Sequence, residues 1–192
     1  MKEINYTDIQ GGRLIDIRSQ YAFQAGHAKG SLNLNPSNFK KYLQDFLTSD
    51  QSIIIIAGQD NLTDIDALSE YLQEIGYVHI KGYLLAENIP AEKLEILETI
   101  PANDFLNLSD NYILLDVRQP AEITRPAPKQ NLMNIPFEEL PHSLASLDNH
   151  IDIYTLCGSG NRSTAAASYL LSKGFQTKVI EGGMKAIQEA QV

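Results

Sequence analysis

The sequence predicts an α/β protein built from two tandem copies of one unit, each a mainly parallel sheet flanked by helices. Three observations predict it. First, segments recur in the same order: "RLIDIR" (Arg13–Arg18) answers "ILLDVR" (Ile113–Arg118), "SIIIIAG" answers "DIYTLCG", and "HIKG" answers "VIEG". Asp16/Asp116, Ala57/Cys157 and Gly82/Gly182 share one offset of 100 residues, and three ordered matches point to duplication rather than chance. Second, the apolar runs are continuous rather than alternating, as in strands buried on both faces. Third, strand-like and helix-like stretches alternate along the chain, which requires crossover connections and hence parallel pairing.

The elements follow in order. In the first copy, "RLIDI" and "SIIIIA" read as buried strands, and "NLTDIDALSEYLQEIG" as a helix stopped at Gly76. The polar, proline-containing "ENIPAEK" marks the divide, giving units at residues 1–90 and 91–192. In the second copy, "YILLDV" is a buried strand and "NLMNIP" a short extended segment. "FEELPHSL" reads as a short helical stretch broken at Pro141. "IDIYTLC" is another buried strand, "STAAASYLLSK" a helix stopped at Gly174, "TKVI" a strand and "GMKAIQEAQ" a closing helix.

Composition excludes several classes. With 15 basic against 24 acidic residues the net charge is −9, so neither a nucleic-acid partner nor an anionic membrane surface is expected. No apolar run approaches the roughly 20 residues of a membrane span, and the opening "MKEINYTDIQ" lacks the apolar core of a signal peptide; a cytoplasmic protein is expected. One cysteine cannot form an internal disulfide, and the four histidines are scattered without ligand spacing, so no metal and no cofactor are expected.

The single cysteine stands at the most informative point of the chain. In "IYTLCGSGNRS", Cys157 ends a buried strand and precedes a glycine-rich loop that opens a helix. In parallel sheets, ligands gather at the carboxyl ends of strands. Gly158 and Gly160 allow the loop to curl with its N–H groups inward, forming with the helix N-terminus a cradle for an anion. Those dipoles and the charge of Arg162 favour thiolate over thiol at Cys157, and the thiolate is the nucleophile. A free cysteine is more often a small buried hydrophobe, and Ser163 could simply cap the helix. The combination of strand end, thiol, two glycines, arginine and helix start favours the functional reading.

This loop resembles the C-x-x-G-x-R-S signature of the rhodanese family of sulfurtransferases, and "LLDVR" and "VIEGGM" are similar to other markers of that family. The resemblance extends over both copies. It implies two rhodanese-like domains, the second catalytic. It implies that Cys157 takes sulfane sulfur from a donor (thiosulfate, mercaptopyruvate or a thiol persulfide) and carries it as a persulfide. A thiol, cyanide or sulfite acceptor then removes it, since the chain holds no second cysteine to resolve it. By the same resemblance Gly158, Ser159, Gly160, Asn161 and Ser163 bind the persulfide and substrate, and Arg162 helps to hold an anion. Asp116 and Arg118, like Asp16 and Arg18, are expected to be structural charge pairs at strand ends.

The first copy carries Ala57 at the nucleophile position and Asp60 and Asp64 in the following loop, so no chemistry of this kind is expected there. It nevertheless keeps "AGHAKGSLNLNP", which resembles the family's GHIPGAxNIP segment; the second copy reads "TRPAPKQNLMNIP" instead. Arg125 and Lys129 of that segment could add charge at the mouth of the site, although solvated surface charges are the simpler reading, as a structural role is for His27. An inactive copy before an active one is also similar to the C-terminal half of persulfide dioxygenase–rhodanese fusions. That resemblance implies an N-terminal dioxygenase domain as partner and a role in sulfide detoxification.

Three other readings stand beside the enzyme. A slow-turnover sulfur carrier or sensor would share the persulfide, and an interaction module would not need it. A cysteine phosphatase or arsenate reductase would need a C-x5-R loop, whereas here Ser163 stands where that arginine belongs and no aspartate acid is evident.

Overall fold

A computed structural model describes residues 1–109 and 111–191. The chain divides into two compact units, Met1–Ile96 and Leu97–Val192. In the first, strands β1 (Arg13–Asp16), β3 (Leu32–Asn33), β4 (Ile53–Ala57) and β5 (Ile80–Leu85) form a parallel sheet in the order β3-β1-β4-β5. A short antiparallel pair joins β2 (His27–Ala28) to β6 (Leu94–Glu95), which keeps the chain beyond Pro90 with the first unit. In the second, β7 (Thr99–Ile100), β8 (Tyr112–Asp116), β9 (Leu132–Asn134), β10 (Asp152–Leu156) and β11 (Thr177–Ile180) form a parallel sheet ordered β7-β11-β10-β8-β9. No helix among the described residues is long and apolar enough to cross a membrane.

The continuous apolar runs form the strands at the sheet centres. Every residue of Ile53–Ala57 is buried, and so is Ile153–Leu156 in β10. On one side of the second sheet Phe105, Tyr112 and Tyr154 form a ring cluster with centroids 5.4–5.6 Å apart, and Leu114, Leu156, Ile180, Met184 and Ile187 complete that core. Edge-on and tilted contacts of this kind suit the positive rims and negative faces of aromatic rings.

Helices flank each sheet: α1 (Gln20–Ala25), α2 (Pro36–Phe46) and α3 (Asp64–Glu74) in the first unit, and α4 (Ala102–Leu106), α5 (Leu140–Ser143), α6 (Asn161–Ser172) and α7 (Gly183–Ala190) in the second. The duplication is visible in how α3 and α6 stop. Gly76 and Gly174 both adopt φ of +87°, and the N–H groups of Tyr77 and Phe175 reach back to the carbonyls of Leu72 and Leu170. Each is a glycine-terminated Schellman stop whose following aromatic ring is buried.

Local differences from the sequence reading have local causes. Residues Gln59–Asn61 form a separate 3-10 turn, so the helix expected from Asn61 begins at Asp64. Pro141 lies in the first turn of α5 rather than breaking a helix, because a first-turn residue has no intrahelical partner for an N–H and proline lacks one. The short β7 and α4 offer too little periodicity to be read in advance.

Candidate active site

Cys157 follows β10 directly and is buried, with its sulfur facing the turn that starts α6. Gly160 makes that turn possible. Its φ of +106° is closed to most side chains, and it puts the Gly160 N–H 3.2 Å from Cys157 Sγ. Ser163, one helical turn on, places its Oγ 3.4 Å from the same sulfur while donating to the Gly160 carbonyl at 3.0 Å. The hydroxyl of Thr155 on β10 donates to the Ser163 carbonyl at 3.0 Å, which ties the helix start to the strand.

The loop's carbonyls are turned outward by a second element. The N-terminus of α7 donates Met184 N–H to the Cys157 carbonyl at 2.7 Å and Lys185 N–H to the Gly158 carbonyl at 3.2 Å. Those two N–H groups would otherwise lack partners in the first turn of α7. The approach depends on Gly183, which has φ of +60° and sits so close that a Cβ there would lie 2.5 Å from the Cys157 carbonyl oxygen. The "VIEGGM" stretch thus acts as a backstop to the loop, a role that sequence alone did not disclose.

The seven residues singled out by sequence therefore share one strand–loop–helix, but only some meet the sulfur. Gly160 and Ser163 contact it; Gly158, Ser159 and Asn161 are exposed on the loop surface. Arg162 is engaged elsewhere: its Nη2 lies 2.5 Å from Glu122 Oε1, on the 3-10 turn that follows β8. No local sequence signal marked Glu122. Arg125 donates to Gln188 on α7 at 3.0 Å, and Lys129 is exposed. Among the described residues, no three His, Cys, Asp or Glu side chains come together as metal ligands would.

Beside the loop runs a polar clamp that both units share. Asp116 accepts the Arg118 backbone N–H and three contacts from its guanidinium, the shortest 2.6 Å. Asn134 Nδ2 bridges the Asp116 and Arg118 carbonyls at 2.8 and 2.9 Å. Asp16, Arg18 and Asn33 repeat each of these contacts in the first unit. In each unit the arginine also reaches a carbonyl of the succeeding loop, Arg125 or Gly26. The clamp fixes the chain where it leaves the central strand and has no need of the cysteine, which explains its presence in both units.

The first unit has lost more than its nucleophile. No helix N-terminus follows Ala57 directly; the 3-10 turn intervenes, and Asp60 Oδ1 lies 2.6 Å from where a Gly58 Cβ would sit. Gln59 is bonded to Glu87 at 2.5 Å. Because the loop is occupied by its own side chains, Ala57→Cys should create a thiol that gains no sulfur from any donor. Intact mass on an Ala57→Cys/Cys157→Ser protein checks this; a one-sulfur gain would overturn it. His27 of this unit is buried, stacked on Phe23 at 3.9 Å and bonded through Nδ1 to the Phe23 carbonyl. Burial lowers its pKa, although the nearby Glu95 carboxylate acts in the opposite direction. These contacts are those of a core histidine.

Several known proteins are similar to about half of this chain. "Putative sulfurtransferase YtwF" of Bacillus subtilis is 28% identical over 94 residues, 49% of this chain and 90% of its own length. A rhodanese-related protein of Thermoplasma volcanium is 33% identical over 48% of this chain and 91% of its own, with a TM-score of 0.45. The reduced CoADR-RHD of Bacillus anthracis is 32% identical over 49% of this chain, with a TM-score of 0.45; the match spans only 17% of that protein's length. The rhodanese-like domain family matches twice, at residues 2–87 and 101–190, once in each unit. With both sheets, both clamps and both sequence matches accounted for, the chain belongs to the rhodanese-like domain family, as a tandem whose one cysteine lies in the second domain.

Proposed function

We propose that the second domain is a rhodanese-type sulfurtransferase that carries sulfane sulfur as a persulfide on Cys157. The observation that carries the reading is the placement of the sulfur: at a strand's carboxyl end, under the start of α6, with the Gly160 N–H aimed at it from 3.2 Å. The name of the Bacillus subtilis relative supports the same chemistry.

The Cys157 thiolate attacks the sulfane sulfur of the donor. An S–S bond forms to Cys157, and the donor's own bond to that sulfur breaks. The leaving group departs with the bonding pair: sulfite from thiosulfate, a thiolate from a persulfide, or, from mercaptopyruvate, the enolate of pyruvate, which then takes a proton. An acceptor nucleophile then attacks the outer sulfur, and the Cys157–sulfur bond breaks to restore the thiolate. No metal or cofactor is called for. Gly160 N–H favours the Cys157 thiolate before the first step and stabilises the negative charge that returns to the sulfur in the second, as a preorganised donor does for a developing anion. Gly158, Ser159 and Asn161 line the outer loop, and Ser163 holds the thiol side. The same reading sets the protein in the cytoplasm, in sulfide detoxification, with a persulfide dioxygenase domain as the partner that fits the tandem arrangement.

Intact mass tests the reading. Brief exposure to thiosulfate, mercaptopyruvate or glutathione persulfide should add one sulfur to the wild type, and cyanide should remove it as thiocyanate. Cys157→Ser should show neither change. Absence of any gain with all three donors would falsify the reading.

A further inference from the structure

Arg162 is the one cationic side chain in the stretch from Cys157 to Ser163; its neighbours Gly158, Ser159, Gly160, Asn161 and Ser163 are neutral. The structure pairs that charge before any substrate arrives. Glu122 Oε1 stands 2.5 Å from Arg162 Nη2, a direct ion pair between carboxylate and guanidinium. The backbone that carries the carboxylate is held in a hydrogen-bonded turn. Pro120 fixes the start of the 3-10 turn, Glu122 N–H bonds the Gln119 carbonyl at 3.0 Å, and Ile123 N–H bonds the Pro120 carbonyl at 3.2 Å. The far end of the loop is tied to Arg118 through the Arg125 carbonyl and to α7 through Gln188. The pair lies at the rim, with Arg162 and Glu122 side chains 19% and 38% exposed, while the sulfur lies beneath the surface.

We propose that Glu122 determines donor specificity: it turns the site away from dianionic donors such as thiosulfate and toward singly charged persulfides of thiols. This rests on the sulfurtransferase reading above. The physical reason is charge balance at the rim. An arginine with an unengaged charge would attract a dianion twice as strongly as a monoanion. Once a fixed carboxylate answers that charge, the second negative charge on the donor gains nothing from the pair and is repelled by the chain's overall −9. The loop N–H groups still suffice for one negative charge at the sulfur. With a thiol persulfide, Cys157 bonds to the terminal sulfur as the donor's S–S bond breaks; the donor thiolate leaves with the bonding pair and takes a proton from solvent.

The test compares kcat/KM for loading Cys157 from thiosulfate and from cysteine persulfide, whose amino and carboxylate charges cancel. Wild type should load faster from cysteine persulfide. Glu122→Gln should raise the thiosulfate-to-persulfide ratio by about tenfold, chiefly through a lower KM for thiosulfate, and Glu122→Lys should raise it further. Added salt should narrow the differences among the three proteins. A ratio that stays within twofold in both variants while all three proteins load overturns the role of Glu122 alone. A wild type that prefers thiosulfate overturns the donor class. If no protein loads from either donor, the sulfurtransferase reading falls and this inference with it.

Discussion

Gly183→Ala should slow sulfur loading at Cys157 by about a hundredfold and destabilise the second domain by about 2–3 kcal/mol. The expectation combines two costs at one atom. A Cβ at φ of +60° meets the intrinsic penalty of the left-handed region, about 1–2 kcal/mol. The same Cβ would stand 2.5 Å from the Cys157 carbonyl and 3.0 Å from Gly158 C and Ser159 N, all backbone atoms with no rotamer to yield. Either α7 retreats, losing the Met184 and Lys185 hydrogen bonds to the loop, or the loop moves inward and misaims the Gly160 N–H. Displacements of about 1 Å in a reacting group cost on the order of a hundredfold in rate. Gly174→Ala is the control. Its φ of +87° carries the same kind of strain, but no atom lies within 4 Å of the added Cβ. It should lower stability by about 1–2 kcal/mol and leave the loading rate alone. Equal loading rates for the two variants would mean that Gly183 is only a turn residue.

The contrast between those glycines shows what the sequence could disclose. Gly174 was readable because a helix stop is local: helix formers, Lys173, then glycine. Gly160 and Cys157 were readable for the same reason, since strand end, loop and helix start are contiguous. The central strands β4 and β8 declared themselves through runs of isoleucine and leucine. The rest of the site is assembled by the fold. Gly183 matters because α7 comes back onto the loop, and Glu122 because the turn after β8 faces the start of α6; "VIEGGM" marked the place of Gly183 without its role, and nothing around Glu122 marked it at all. Arg162 shows the consequence. Sequence supplied a positive charge beside the thiol, and the structure supplies the carboxylate that answers it. In the first domain, similarly, sequence revealed the missing nucleophile, whereas the packing of Asp60 against Gly58 required coordinates.

Asp116→Ala should be among the most damaging single substitutions in the second domain, costing about 3–5 kcal/mol. Asp116 is buried, and so is Arg118, so removing the carboxylate strands a guanidinium away from water. It also removes the acceptor for the Arg118 N–H and the fixed point from which Arg118 reaches the Arg125 carbonyl. The loss should therefore spread to the turn bearing Glu122. The chain has no tryptophan, and a two-domain protein has no single unfolding free energy, so hydrogen exchange resolved along the sequence is the suitable measurement. Protection should fall by roughly two to four orders of magnitude across β8 and β10, as about 3–5 kcal/mol implies. Asp16→Ala should act in the same direction on β1 and β4 but less strongly, because its clamp has the same contacts while Arg18 is only partly buried. The double substitution Asp116→Ala/Arg118→Met separates the causes. If the damage comes mainly from the stranded charge, replacing the arginine with an apolar chain recovers most of the protection. If the double variant remains as unprotected as the single one, the hydrogen bonds to backbone outweigh the charge pair. A loss below about 1 kcal/mol in Asp116→Ala would mean that the clamp, despite its burial and its repetition, does little to hold the strand ends.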